Sequence, residues 1–481
     1  MSKKVIIIGA GFGGLSAACY LAKSGYRVEV YEKNHTYGGR AWVNKVDGFT
    51  FDMGPSWYMM PDVFEEFFAD FGKKTTDYYE LKKLNPSYQV LTDANRYDVS
   101  TVPSVYTLFE QLEPGSSRQL QKLLKKTEDE YKKVRASILQ RPMLGPADVL
   151  KKDAVAFLMK PSLIGSYHSR IATYIKHPDL QKILEFMVVF MGGSPKNIPA
   201  LYTLLAYVDM GLGIWYPMGG MGKLADAMYD LARSLGAKFI FNSDVSGITR
   251  NQNRADGIMI GSKKVSADIV VANADYQFVD SVLLGRRTKW DKMTLSPSGV
   301  MAYIGVRGKL SGLRHHNLFL DSDWDRHFDE TFNKHTWSNE PMFYVSVPSI
   351  TDPTVAPNGM ENMFILAPMA NGLHPTPKQN KELIDDLIDR IEKKTNQNIK
   401  NKIVYIDIKS HDYFENMFHA YKGNAFGLAH TLGQSAILRP PLKDKSIDGL
   451  YYAGQYTNPG TGVPIVTLSG KVVTDTINSF E

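Results

Sequence analysis

The chain has 481 residues, which is more than one hydrophobic core usually accommodates, so the length predicts two domains. A hydrophobic fraction of 43% and a charged fraction of 22% are typical of a folded globular protein and exclude a disordered chain. The net charge of +6 is too small to favour nucleic-acid binding, and the single Cys19 excludes an internal disulfide, which fits a reducing compartment.

The first elements are predicted to be a strand, a helix and a second strand. Val5–Ile8 is a β-branched run suited to a buried parallel strand, and it ends too soon at Gly9 to be a signal peptide. The following helix formers run to Lys23, with Cys19 as a small core residue among them, and Gly25 ends the helix. The second strand is RVEVY, residues 27–31.

The glycines between that first strand and helix match a dinucleotide-binding fingerprint. Such glycines permit a tight turn, close approach of the backbone to a pyrophosphate and close packing of helix on strand. Glu32 follows the second strand, where its carboxylate can accept hydrogen bonds from both ribose hydroxyls. The fingerprint comprises Gly9, Ala10, Gly11, Phe12, Gly13 and Gly14.

Two further glycine-rich segments favour FAD over NAD. Gly38-Gly39 suit a second backbone pass over the pyrophosphate, and Arg40 adds a fixed cation. Far along the chain, residues 458–464 read NPGTGVP and precede a helix. The positive end of such a helix can stabilise negative charge on a reduced flavin ring.

The middle of the chain predicts several helices and strands. Met60-Pro61-Asp62 opens a helix with an aromatic stripe that Gly72 ends, and residues 114–117 (PGSS) start another. Residues 147–190 are helix-like, apolar and lightly basic, which fits either an interfacial membrane helix or a packed amphipathic helix. Further segments are a helix at 219–236, strands at 238–242, 245–250, 257–260 and 269–272, and a helix at 377–394.

No other class of active site is indicated. There is no cysteine set for zinc or an iron–sulfur cluster, and no metal is expected. His315-His316 is predicted to be a loop feature. His168 and Arg170 are considered as proton acceptors, but no catalytic residue is assigned.

Six motifs together resemble the bacterial-type phytoene desaturases, a carotenoid desaturase family within the amine-oxidase-like FAD flavoproteins. The similarity extends from residue 4 to about residue 478. The third and last motifs are the specific ones, whereas many unrelated flavoproteins share the first, the fingerprint. The motifs are GAGFGG at 9–14, YGGRA at 37–41, GFTFDMGPS at 48–56, WYPMGGMGKL at 215–224, VANAD at 271–275 and YAGQYTNPGTGVP at 452–464.

The resemblance implies an α/β protein with a discontinuous Rossmann-like FAD-binding domain of the glutathione-reductase and amine-oxidase type. That domain would comprise residues 1–80, 215–290 and 440–481. A mixed α+β substrate domain with a helical membrane-facing region would comprise 81–214 and 291–439.

The family's cofactor-binding positions can be carried over to this chain. Gln455 departs from the wider pattern, which has an acidic residue there. The implied FAD-binding residues are those of the fingerprint, together with Glu32, Lys33, Gly38, Gly39, Arg40, Gly54, Pro55, Ser56, Val245, Gly454, Gly462, Val463 and Pro464.

The implied activity is FAD-dependent dehydrogenation of phytoene by successive hydride transfers to flavin, towards lycopene, in carotenoid biosynthesis. The enzyme would be peripheral on the cytoplasmic side of a membrane, with a quinone or oxygen as electron acceptor. Alternatives are a desaturase of a diapocarotenoid or of a hydroxylated or already desaturated carotenoid, a flavin-dependent carotenoid isomerase, and a non-catalytic prenyl-lipid carrier. Amine oxidation would require an aromatic cage, for which Trp215 and Tyr421 are the candidates.

Overall fold

The computed structural model describes residues 2–144, 165–287 and 290–481. Its strands are β1 Lys4–Ile8, β2 Arg27–Tyr31, β3 Val43–Val46, β4 Phe49–Asp52, β5 Leu81–Lys83, β6 Tyr88–Leu91, β7 Arg96–Val99, β8 Trp215–Pro217, β9 Lys238–Ile240, β10 Val245–Asn251, β11 Arg254–Ile260, β12 Lys263–Ser266, β13 Ile269–Ala272, β14 Ser298–Arg307, β15 His316–Phe319, β16 Phe343–Ser346, β17 Met360–Met369, β18 Ile403–Lys409 and β19 Leu450–Tyr452. Its α-helices are α1 Phe12–Lys23, α2 Pro61–Ala69, α3 Ser104–Leu112, α4 Ser116–Val134, α5 Tyr167–Ile171, α6 Pro178–Glu185, α7 Gly222–Ser234, α8 Tyr276–Phe278, α9 Trp324–Asp329, α10 Pro377–Thr395, α11 His411–Phe418 and α12 Val463–Phe480.

A five-stranded parallel sheet forms the nucleotide-binding half, with the strand order β19-β13-β1-β2-β9. All five strands come from the segments assigned by sequence to the FAD-binding domain. The central strand β1 is apolar almost throughout, because both faces of the sheet are covered. Residues of α1, α7 and α12 cover one face, and the antiparallel sheet β10-β11-β12 covers the other.

A seven-stranded mixed sheet forms the other half, in the order β18-β14-β17-β16-β15-β6-β7. Alternate residues of β14 enter different cores, as the two-residue period of a strand requires. Val300, Ala302 and Ile304 pack with the apolar face of α10. Met301 and Tyr303 face the opposite way, towards the helices α3–α6.

Residues 147–190, which the sequence left as either an interfacial membrane helix or a packed amphipathic helix, are only partly described. Residues 145–164 lie outside the described ranges. In the remainder, Ile171, Ile183 and Leu184 of α5 and α6 are buried in the core, so this part is packed amphipathic helix. No helix among the described residues has both the length and the apolar character needed to cross a membrane. A membrane-facing helical region therefore stays a prediction.

Three sequence-based expectations need correction. The helix expected at 219–236 is shorter, Gly222–Ser234, and the strand expected at 238–242 ends at Ile240. His315-His316 was expected to be a loop feature; His315 does lie in a bend, but His316 begins β15, and both rings are buried. The physical reason is aromatic packing, because the His316 ring stacks on Trp57 with a centroid separation of 4.4 Å. Cys19 is buried, as expected, and burial raises the pKa of its thiol.

Candidate active site

The first glycine loop is sterically restricted to glycine. A Cβ on Gly14 would overlap the carbonyl oxygen of Gly9, and a Cβ on Gly13 would overlap the side-chain oxygen of Asn273. Asn273 follows β13, and its Nδ2 donates to the Gly9 carbonyl oxygen at 3.2 Å. Asn273, just after the neighbouring strand β13, therefore holds the turn between β1 and α1 in place. The turn directs the N-terminus of α1 towards the site.

The Glu32 carboxylate lies beside this loop. Its Oε2 accepts a hydrogen bond from the backbone N–H of Ala10 at 2.8 Å, and its Oε1 accepts one from the backbone N–H of Asn34 at 2.9 Å. Burial raises the pKa of Glu32, while these backbone donors act in the opposite direction. The carboxylate is thus oriented before any ligand binds.

The second glycine segment packs directly on the first. Gly38 forms a parallel bridge with Gly11, and a Cβ on Gly39 would lie 3.0 Å from the Gly11 Cα. The Arg40 guanidinium lies 5.3 Å from the Phe418 ring centroid. Its Nε is buried and has no hydrogen-bond partner among the described residues. This orphaned cationic donor beside two glycine turns fits an anionic ligand.

The tail motif reaches the same place from the other end of the chain. The Gly454 N–H donates to Ser469 Oγ at 3.0 Å, and α12 begins immediately after Gly462. When its amide oxygen faces the available donors, Gln455 accepts from Arg40 Nη1 at 3.2 Å. The residue that departs from the family pattern therefore contacts the predicted phosphate-binding arginine.

A continuous cavity of about 840 Å³ joins these segments. Of the predicted FAD-binding residues, all line the cavity except Ala10 and Gly14. Ala10 contributes through its N–H to Glu32, and Gly14 lets α1 pack against the Gly9 turn. The individual contacts of these residues with FAD stay predictions. Together the glycine turns, the oriented Glu32 and the unpartnered Arg40 donor fit the adenosine and pyrophosphate parts of FAD.

Beyond the glycine turns, the cavity continues into an apolar chamber, as the resemblance implied, but the sequence did not identify the residues that line it. Its wall comes from β15, β16 and β17 and from the short helical segments between residues 186 and 208. The alternating apolar residues of these strands were the only signal in the sequence, and alternation does not tell a cavity wall from a filled core. Chamber residues include Trp57, Met187, Phe190, Leu205, Leu318, Leu320, Met342, Tyr344, Phe364 and Leu366.

Four residues considered on sequence grounds lie away from the cavity. His168 Nδ1 is 2.8 Å from Glu185 Oε1, and Arg170 donates to both oxygens of Glu130 at 2.9 Å. These pairs are structural, so the structure supports neither as proton acceptor. Trp215 and Tyr421 do not line the cavity and form no aromatic cage there. Across the described ranges, no cluster of three or more His, Cys, Asp or Glu residues could bind a metal ion.

Comparison with known proteins gives the same assignment. A family model for flavin-containing amine oxidoreductases matches residues 12–478. The chain is 40% identical over 479 residues to a carotenoid 3,4-desaturase of Haloarcula japonica, covering 97% of this chain and 96% of that protein. It is 32% identical to a 4,4'-diapophytoene desaturase of Staphylococcus aureus, with 98% of each chain covered. A zeta-carotene-forming phytoene desaturase of Myxococcus xanthus is 30% identical, with 99% of this chain and 94% of that protein covered.

Solved structures share the fold at much lower identity. An oxidoreductase from Methanosarcina mazei superposes with a TM-score of 0.64 at 18% identity, covering 99% of this chain and 100% of the other. Cyclohexylamine oxidase from Brevibacterium oxydans gives 0.59 at 14% identity, covering 100% and 99%. The chain therefore belongs to the flavin-containing amine oxidoreductases and, within them, to the carotenoid desaturase family, and it is an FAD-dependent oxidoreductase.

Proposed function

We propose that this protein desaturates a carotenoid, removing two hydrogens from a CH–CH unit of a long apolar polyene. The observation that carries the proposal is the continuity of the cavity. It joins the glycine turns and Arg40 to a chamber walled by aromatic and aliphatic side chains. A chamber of this kind can align a hydrocarbon chain and exclude water from the reacting carbons. Bound FAD would supply the two-electron acceptor.

The relatives support a carotenoid substrate, but they differ in which carotenoid they act on. They act, by their names, on phytoene, on 4,4'-diapophytoene and at the 3,4 position of a carotenoid. Phytoene, converted towards lycopene, is one substrate to test. Because the relatives act on different carotenoids, a diapocarotenoid and a hydroxylated or already desaturated carotenoid are to be tested beside it.

We further propose that the protein works as a peripheral protein on the cytoplasmic side of a membrane, and that a quinone or oxygen reoxidises the flavin. Leu432 and Leu438 support membrane contact, because they are 77% and 57% exposed and both line the cavity. Apolar side chains at a cavity mouth can enter the lipid from which an insoluble substrate comes. The net charge of +6 adds a mild attraction to an anionic leaflet.

The test is an anaerobic visible spectrum of the FAD-loaded protein mixed with carotenoid-containing liposomes, followed by addition of a quinone. Desaturation predicts bleaching of the flavin on mixing and growth of red-shifted carotenoid bands when the quinone is added. Product without net consumption of an acceptor would indicate isomerisation. If the FAD-loaded protein is reduced by none of phytoene, a diapocarotenoid, a hydroxylated carotenoid and an already desaturated carotenoid, the proposal is contradicted.

A further inference from the structure

A buried arginine lies behind the tail motif without a carboxylate partner among the described residues. Arg439 is 5% exposed. Its guanidinium donates to backbone carbonyl oxygens at 2.6–3.2 Å, namely those of Gln434, Gln455, Tyr456 and Thr457. Buried charges are normally paired with an opposite charge, because removing an ion from water is unfavourable. The carbonyl oxygens satisfy the donors of Arg439, but they do not neutralise its charge.

The Arg439 guanidinium keeps its positive charge at physiological pH. Burial lowers its pKa to about 10, which is still well above neutrality. A charge inside a protein acts more strongly on its surroundings than a charge in water, since the effective dielectric constant is lower there. The protein therefore holds a positive charge that is available to stabilise an anion bound nearby.

Three of the four carbonyl oxygens belong to the tail motif, which extends from the glycine fingerprint to the apolar chamber. At one end, a Cβ on Gly13 would lie 3.2 Å from the backbone nitrogen of Gly454. At the other end, Thr461 Oγ1 donates to the Phe426 carbonyl oxygen at 2.8 Å, and the Phe426 ring is 6.4 Å from that of Phe190 in the chamber wall.

The position of the tail motif matches the place that a redox-active ring would occupy. The flavin ring is joined to the pyrophosphate, for which the glycine turns are suited, and it has to meet the polyene in the chamber. The ring is therefore expected at the junction of the two parts of the cavity, which the tail motif borders. Arg439 itself does not line the cavity, so it would act on the ring from behind this backbone.

We propose that the positive charge of Arg439 stabilises the reduced, anionic form of bound FAD and so makes the cofactor a stronger oxidant of the polyene. This inference rests on the proposed desaturase function and assigns a positioning residue to that reaction. In the reaction, one C–H bond of the polyene breaks and its electron pair leaves as hydride to FAD. The neighbouring carbon releases a proton, and a C=C bond forms. The polyene is thereby oxidised, and the reduced flavin ring carries a negative charge.

The experiment measures the two-electron midpoint potential of bound FAD in an anaerobic, dye-linked titration at pH 7, without any carotenoid. Arg439→Gln keeps N–H donors for the carbonyl oxygens but removes the charge, whereas Arg439→Lys keeps both donors and charge. We expect Arg439→Gln to weaken the binding of reduced FAD relative to oxidised FAD by about tenfold, which lowers the potential by about 30 mV. Arg439→Lys is expected to keep the wild-type potential.

Arg307→Gln is the matched control, because Arg307 is exposed at the end of β14 and does not line the cavity. Its charge is screened by water and salt, so the variant should keep the wild-type potential. An unchanged potential in Arg439→Gln would overturn the inference. Equal falls in Arg439→Gln and Arg439→Lys would do the same, since they would mean that Arg439 only holds the tail motif in place.

The wild type decides the matter even if neither Arg439 variant folds. Stabilisation of the reduced form predicts that bound FAD has a higher midpoint potential than free FAD, and an equal or lower potential would overturn the inference. Because no carotenoid is present, these outcomes do not depend on desaturation. Failure of every carotenoid to bleach the flavin would instead count against the proposed function.

Discussion

Arg40 brings positive charge to the point where the glycine segments of the fold meet. Its guanidinium is flanked by Phe418 and by Asn424, whose carbonyl oxygen is 3.4 Å from Nη2. The side-chain oxygen of Gln455 lies 3.2 Å from its Nη1. The Arg40 Nε has no partner among these groups. It can therefore donate to a phosphate oxygen that lies in the plane of the guanidinium.

Replacing Arg40 with lysine keeps the charge and removes the planar donor set. We expect Arg40→Lys to weaken FAD binding by about tenfold, because an ammonium group cannot donate in the same fixed geometry. The measurement is the FAD dissociation constant of the reconstituted apoprotein from flavin fluorescence. Arg307→Lys, at an exposed position ending β14, is the control. Equal affinity in Arg40→Lys and wild type would show that Arg40 does not contact the cofactor through its fork.

Asp209 makes the stability of the protein depend on pH. It is buried, accepts a hydrogen bond from Tyr88 Oη at 2.7 Å, and its pKa is raised by burial to about 7. The unfolded chain loses this proton near pH 4 and the folded chain only near pH 7. Protonated Asp209 therefore makes its full contribution to the free energy of unfolding below about pH 4. This contribution falls as the pH rises towards 7 and is lost above it.

Asp209→Asn is expected to remove this pH-dependent loss. At pH 8 the substitution is expected to raise the free energy of unfolding by at most about 4 kcal/mol, since each pKa unit corresponds to about 1.4 kcal/mol. Urea unfolding of both proteins between pH 5 and pH 8 measures the effect. Asp93→Asn, at an exposed site, serves as control. Parallel pH profiles for wild type and Asp209→Asn would show that Asp209 ionises normally in the folded protein.

At the scale of elements, α1 and α12 position their N-termini at the same cavity. The two helices come from opposite ends of the chain, and Ser16 Oγ donates to the Thr467 carbonyl oxygen at 2.6 Å. Gly470 allows the contact, because a Cβ there would lie 2.5 Å from the backbone nitrogen of Ala17. Close approach of these backbones therefore sets the relative placement of two positive helix ends.

Gly470→Ala is expected to destabilise the protein by about 1–3 kcal/mol, because the added methyl meets backbone that cannot move aside easily. FAD content after purification should fall as well, since the two helix ends would separate. Chemical denaturation and the flavin-to-protein absorbance ratio measure the two effects. Gly433→Ala is the control, because nothing lies within 4 Å of a Cβ at that position. Equal stability of Gly470→Ala and wild type would mean that the helices repack without loss.

At the scale of the whole molecule, one cavity extends from the nucleotide-binding sheet to the exposed leucines of its mouth. If Leu432 and Leu438 enter lipid, charges at both positions should reduce binding to the membrane. We expect Leu432→Asp/Leu438→Asp to lower partition into anionic liposomes by at least about tenfold, since burying each leucine contributes about 1.5–3 kcal/mol. Liposome flotation measures this partition.

Val282→Asp is the matched control for that experiment. Val282 is 56% exposed, close to the 57% of Leu438, and it does not line the cavity. Its variant should float with the liposomes as the wild type does. If the double leucine variant and Val282→Asp bind lipid equally, the cavity mouth is not the membrane contact.

The sequence by itself determined the nucleotide-binding half and the family. Gly9, Gly13, Gly14 and Gly39 could be identified because they stand in sequence motifs whose close backbone packing leaves no room for a side chain. Glu32 could be placed by its distance from the fingerprint, since the strand and helix between them have fixed lengths. The parallel strands were predictable for the same reason, as their apolar runs are local patterns.

Only the tertiary structure decided which side chains line the apolar chamber. Trp57, Leu318 and Tyr344 are distant in the chain, and the pairing of β15 with β16 brings them to one cavity wall. The sequence likewise could not separate His316, which stacks on Trp57, from a surface histidine, or Arg170, which pairs with Glu130, from a catalytic group. Local sequence determines backbone conformation, but a side chain's partners depend on which distant segments fold against it.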